Sequence, residues 1–163
     1  MSDSQAAERR RPWHTSPELP KEVFAVLLKP ERAINPVAIV ATVDEDGSPH
    51  TAPFGSVRAA TPRLLRFTSW RGHDTYANLI RDGHVCVAVV APPDVAVSIL
   101  GRARVAREQM EADEQYAMVE IDVEEVKNDM VRSVLIETAL TVSPREQHVA
   151  WFEAVLGELE AMP

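Results

Sequence analysis

Residues 63–79 read RLLRFTSWRGHDTYANL. Leu64, Leu65 and Phe67 form a short apolar run that predicts a strand, ended by the hydroxyls of Thr68 and Ser69. Trp70, Arg71 and Gly72 make a turn with one positive charge, and His73, Asp74 and Thr75 open a helix continued by Tyr76, Asn78, Leu79 and Ile80. Strand, polar turn and helix start together can hold an anion. The first N–H groups of a helix lack partners within it, and the dipole there favours negative charge. Arg71 adds a guanidinium suited to phosphate oxygens. The same residues also suit an ordinary turn with Asp74 or Thr75 as N-cap, and both readings stay open on this stretch alone.

Upstream, Val23, Phe24, Leu27 and Leu28 recur at helical spacing between Pro20 and Pro30. PVAIVATVD (36–44) is apolar at nearly every position, so a strand covered on both faces is expected. Asp46-Gly47 marks a hairpin turn, and a second strand follows over about 49–58, with Pro49 and Pro53 pointing to an edge or a barrel rim. Ala59 to Arg63 turns the chain into the 64–69 strand.

Downstream of the 74–82 helix, Gly83 fits the position just past a helix end. HVCVAVVA (84–91) and VAVSILGRARVAR (95–107) read as two strands, with a bulge or bend at Gly101. Glu108 to Tyr116 is acidic and helix-favouring. Residues 119–126 alternate strictly, and 133–142 alternate again through Val134, Ile136, Thr138, Leu140 and Val142, so both are expected as strands. Ser143-Pro144 starts a last helix with an apolar stripe at Val149, Phe152, Leu156 and Leu159, widened by Trp151 and Val155 toward a second subunit. The expected fold class is α+β: an antiparallel split β-barrel of six to seven strands, with short flanking helices and a C-terminal helix.

The chain has 163 residues, 45% of them apolar, which suits one domain over 18–163 after a flexible tail at 1–17. Its formal net charge of −8 argues against a general nucleic-acid surface. No apolar run has the length of a membrane-spanning helix and the N-terminus is polar, so a cytoplasmic protein is expected. The single cysteine, Cys86, lies in an apolar run and reads as a core residue. The histidines make no metal pattern: His84 and Cys86 share a strand face, but a site needs three or four ligands. No Ser-His-Asp order or Gly-rich phosphate loop stands out.

The pieces PVAIVATVDEDGSPHTAPF, LLRFTSWRGHDTYANLIRDGHVCVAVV, ILGRARVARE and VEIDVEEVKND, in this order, resemble the pyridoxamine 5′-phosphate oxidase-like flavoproteins, the FMN-binding split-barrel group. The resemblance implies a homodimer with FMN in a groove between subunits. It implies that Gly55, Ser56 and Val57 run along the isoalloxazine ring, with Arg58 near the ribityl chain or phosphate. Phe67, Thr68 and Ser69 would border the ring and ribityl chain. The phosphate would fall to Arg71, His73, Asp74 and Thr75, with Asn78 supporting the turn. Many members carry a Ser–basic–Lys run where this chain has His73, Asp74 and Thr75; Arg71, Arg58 or Arg81 would then replace the charge. The reaction that makes pyridoxal 5′-phosphate is not expected, because the C-terminal region offers only Arg145 and His148 for a substrate phosphate.

The function expected from this resemblance is an FMN-dependent oxidoreductase that moves hydride between flavin and a small conjugated or heteroaromatic substrate. A non-catalytic flavin- or ligand-binding dimer is the alternative, as is a split-barrel reductase using a deazaflavin or haem. The catalytic residues are not assigned, since the reactive groups would belong to the flavin. His50 could donate a proton near a ligand or could be a surface histidine.

Overall fold

The computed structural model describes residues 13–163. The arginine cluster Arg9–Arg11 and most of the expected tail lie outside the described residues. Eight strands form one antiparallel sheet: β1 (Thr15–Ser16), β2 (Ala38–Val43), β3 (Pro49–Phe54), β4 (Arg58–Thr61), β5 (Leu64–Trp70), β6 (His84–Ala91), β7 (Val95–Arg107) and β8 (Tyr116–Asn128). Three helices accompany them among the described residues: α1 (Lys21–Leu28), α2 (Asp74–Arg81) and α3 (Val149–Ala161). The strand order is β3-β2-β6-β7-β8-β5-β4, and β1 continues the β5 side of β8 at Lys127 and Val126. The sheet curls but does not close, as a split barrel requires.

The interior holds Val40, Leu65, Phe67, Val87, Ile99, Ile121 and Val126, all fully buried. They come from alternate positions of their strands, since successive side chains leave a strand on opposite faces. β5 is buried on both faces. Leu65 and Phe67 enter the barrel, while Arg66 and Thr68 face a second apolar cluster formed by Met110, Met118, Val155, Leu156 and Leu159. Leu156 and Leu159 of the α3 stripe, with Val155, therefore pack on their own chain, while Val149 stays exposed. Trp151, expected to reach toward a second subunit with Val155, stacks edge-on against Tyr116 at 4.9 Å and donates to Asp113.

Four further expectations are corrected. The second strand breaks after Phe54, and Arg58–Thr61 pairs with β5 as a strand of its own instead of forming a turn. Glu108 to Tyr116 is a string of bends and turns between β7 and β8, not a helix. Residues 13–17 are tied down: His14 and Trp13 carbonyls accept from the backbone and side chain of Asn128, and the Trp13 indole donates to Glu22 at 2.7 Å. Residues 133–142 alternate as a strand should, yet form none. Their tethers are single bonds: Ile136 N–H to the Pro93 carbonyl, Val37 N–H to the Leu140 carbonyl, and a reciprocal pair between the Asn35 side chain and the Val142 backbone. Val134, Leu135, Leu140 and Val142 stay exposed.

Two turns follow the expected chemistry. Gly47 takes φ +88° in the β2–β3 hairpin, a region that favours glycine. The β7–β8 register shifts between Leu100 and Gly101, where a side chain would collide with the Asp122 carbonyl. Gly83 stands just past the helix end, as expected, and serves a second purpose. The α2 C-cap is the extended Asp82, and Gly83 lets the chain pass the Ala103 backbone, where a Cβ would sit 2.9 Å from the Ala103 oxygen.

Candidate functional site

The site gathers where β5 ends, the 71–73 turn follows and α2 begins, beside the β2–β3 hairpin. His73 is the N-cap of α2. Its backbone is extended, and its Nδ1 accepts the Thr75 N–H at 3.1 Å. Accepting that hydrogen leaves the ring proton on Nε2, so His73 presents a neutral N–H donor. The cap is thus neither of the residues expected for it, and Asp74 lies exposed in the first turn, where a negative charge complements the dipole.

Further along α2, Asn78 is buried and donates to Thr42 Oγ1 at 3.0 Å and to Asp44 Oδ1 at 2.7 Å. Arg81 donates to Asn78 Oδ1 and to the Val43 carbonyl. These bonds fix α2 on the hairpin. The hairpin register sets Thr42 directly opposite His50. His50 Nδ1 lies 3.6 Å from Asp44 Oδ1, and its ring meets that of His73 edge-on at 6.2 Å. Phe54 continues the row, 5.9 Å from His73 and 5.0 Å from Phe67.

Three buried polar atoms of this region have no partner in the chain: Thr75 Oγ1, on a fully buried residue, His50 Nε2, and Arg71 Nε in the preceding turn. Buried polar atoms are nearly always hydrogen-bonded, so a group from outside the chain is the expected partner. Hydroxyl, imidazole and helix N–H groups are all able to donate to an oxyanion.

The other anticipated residues have different partners. Ser56 Oγ accepts the Thr68 N–H at 3.1 Å, which joins the chain after β3 to β5. Thr68 Oγ1 donates to the Ala117 carbonyl and lies 2.9 Å from Met110 Sδ, beneath α3. Val57, Phe67 and Ser69 are fully buried, the first two in the core. Arg58 is buried and holds the α1–β2 connection: it donates to the Lys29, Ala33 and Ser56 carbonyls and to Glu160 Oε1 at 2.8 Å. Burial lowers its pKa, and the Glu160 carboxylate offsets part of that. It ties three elements together through these bonds. Arg71 turns toward the β7–β8 connection and donates to the Glu114 carbonyl at 2.7 Å, although its Nε has no partner.

His50, Thr42 and Asp44 were not among the anticipated binding residues. The signal for them is the Asp46-Gly47 turn, which fixes the register that brings Thr42 and His50 onto one face. Lys29, also unanticipated, is buried in a left-handed conformation (φ 45°) and donates to the Ile34 and Gly55 carbonyls at 3.0 Å each. Burial, with the Arg58 charge second, lowers its pKa to about 7. Among the described residues no three His, Cys, Asp or Glu side chains are grouped to hold a metal, and no helix is long and apolar enough to cross a membrane.

The family model described as pyridoxamine 5′-phosphate oxidase matches residues 24–143. The chain belongs to that family. The match covers β2 to β8 and both elements of the candidate site. No curated protein matches the sequence. Among solved structures, the chain resembles a candidate pyridoxamine 5′-phosphate oxidase of Lactobacillus delbrueckii, with 25% identity over 70% of this chain and 98% of that one, and a TM-score of 0.56. It also resembles HupZ of Group A Streptococcus (20% identity, 72% and 97% covered, TM-score 0.55). An F420 reductase is similar too, with 17% identity, 68% and 100% covered, and a TM-score of 0.53. The last two likenesses concern the fold alone. Within this family, the chain has the split barrel and carries His73, Asp74 and Thr75 at the helix start beside it.

Proposed function

We propose that this member of the pyridoxamine 5′-phosphate oxidase family binds FMN and acts as an oxidoreductase on a small conjugated or heteroaromatic substrate. The observation that carries this reading is the group of unpartnered buried atoms, Thr75 Oγ1, His50 Nε2 and Arg71 Nε, around the N-terminal end of α2. In this reading Thr75, His73 and the α2 backbone hold the phosphate. Asn78 holds the hairpin in register against them. Ser56, Phe67, Thr68 and Ser69 border the ring side of the groove, and a second copy of the chain closes it. The Ser56–Thr68 bond fixes the strand edge on which a flat ring would lie. Bound FMN supplies hydride exchange at its N5 atom, with NAD(P)H or a reduced flavin as the electron source. Arg145 and His148 are exposed, and no role in binding a substrate phosphate is assigned to them.

The visible absorption spectrum tests this reading, taken on the purified protein and again after incubation with FMN and desalting. Twin flavin bands that remain with the protein support it. A deazaflavin or haem band replaces FMN with that cofactor. A colourless protein in both samples overturns it.

A further inference from the structure

We propose that His50 is a proton-linked ligand of the anion at this site, so that the negative group binds together with a proton taken up by the His50 ring. The inference rests on the reading that the start of α2 receives the FMN phosphate.

The argument concerns which ring nitrogens carry hydrogen. His50 Nδ1 faces the Asp44 carboxylate, whose Oδ1 is fixed by the Asn78 side chain. A neutral imidazole has one N–H. Facing a carboxylate, Nδ1 keeps it, and Nε2 is left with a lone pair. A lone pair repels an anionic oxygen. Nε2 is also the atom without a partner in the chain. Adding a proton there gives the ring a second donor and a positive charge while leaving the Asp44 contact in place. His73 cannot do the same: a proton on its Nδ1 would break the cap on Thr75 N–H. The two histidines are therefore different in kind, one a fixed neutral donor and the other a switchable cation.

The charged groups around His50 agree with this division. Asp44 faces it from the β2–β3 turn. Arg81 reaches the neighbourhood only through Asn78 Oδ1 and the Val43 carbonyl. Asp74 is exposed at the start of α2, and Arg71 points to the Glu114 carbonyl. Arg71 keeps an unpartnered Nε in the turn before α2 as a permanent charge, and the His50 imidazole is a group beside that turn whose charge can change with pH.

The test is calorimetric titration of the full-length protein with FMN at several pH values, in buffers of different ionisation enthalpy, which counts the protons taken up on binding. The wild type should take up more protons than His50→Gln, by a difference approaching one. Its affinity should fall with rising pH by up to about tenfold per unit more than the variant's, the slope of a single linked proton. Comparing two proteins that both bind FMN cancels the titration of the phosphate itself. His84→Gln, a change at an exposed histidine paired with Asp82, should match the wild type. Circular dichroism establishes that His50→Gln is folded. If it is not, Asp44→Asn serves instead and should lower the proton uptake. Equal uptake and equal pH slopes in wild type and variant overturn the inference but leave FMN binding standing. Absence of FMN binding by the wild type at every pH overturns both.

Discussion

At the scale of single residues, Thr75 separates binding from stability. Its hydroxyl is buried and unpartnered, which costs the folded chain about 1–3 kcal/mol until a ligand meets it. Thr75→Val should therefore leave the melting temperature unchanged or raise it, while FMN affinity, read by flavin fluorescence quenching, falls about tenfold or more. A loss of both together would mean that the hydroxyl is structural. Lys29 gives a second residue-scale prediction. Its folded pKa of about 7 lies below its ordinary value of 10.5. Between those two values the unfolded chain binds more protons than the folded one, so stability rises with pH across that window. Below about 7 both states are protonated and the full cost is in place. Each unit of depression corresponds to about 1.4 kcal/mol. Denaturant midpoints from pH 7 to 9 should climb for the wild type and stay flatter for Lys29→Met.

At the scale of elements, the long β7–β8 pair organises the barrel, and its register shift at Gly101 lets the two strands stay paired from Val97 to Arg107. Gly101→Val should destabilise the protein by about 1–3 kcal/mol, the usual range for overpacking, because the Asp122 carbonyl belongs to backbone that cannot yield without breaking the ladder. Urea unfolding checks this, and a stability equal to wild type would mean that the bulge can migrate. α3 is a separate matter. Its inner face joins Met110 and Met118 in a cluster distinct from the barrel interior. Its last turn and the residues after it are held by buried arginines, Arg58 on Glu160 and Arg66 on the Met162 and Pro163 carbonyls. Arg66 is in turn paired with Glu120, which also meets Arg104. Burial alone would raise the Glu120 pKa, but the hydrogen bonds and charges of the two arginines outweigh it and the net shift is downward.

At the scale of the whole molecule, two clefts among the described residues are lined by neither His50 nor the start of α2. One of about 500 Å³ sits between Trp13, Glu22, Asp94 and Val134, and one of about 340 Å³ between Lys29, Arg58, Arg66 and Glu160. In the proposed reading, a second copy of the chain supplies one wall of the FMN groove. Sedimentation equilibrium should give a dimer at micromolar concentration. FMN affinity per chain should drop as the protein is diluted through dimer dissociation, and an affinity independent of protein concentration would refute a shared groove.

What the sequence determined is local. Apolar runs marked β2, β6 and β7, and alternation marked most of β8; Asp46-Gly47 marked the hairpin; and the change from RLLRFTS to HDTYANL marked the passage from β5 to α2. These signals survive because they depend on each residue's own φ/ψ preference or its own exposure. Tertiary structure decided the rest. Residues 133–142 have a strand's alternation but pair with no strand of the sheet, and they remain an arm held by single bonds. Arg58 has the charge of a phosphate ligand, but folding brings the Lys29 and Ala33 carbonyls and Glu160 around it. His50 and His73 are separated in sequence and meet only because the hairpin register and the Asn78 bonds bring β3 against α2. A partner's presence is a non-local fact, and no single segment's pattern contains it.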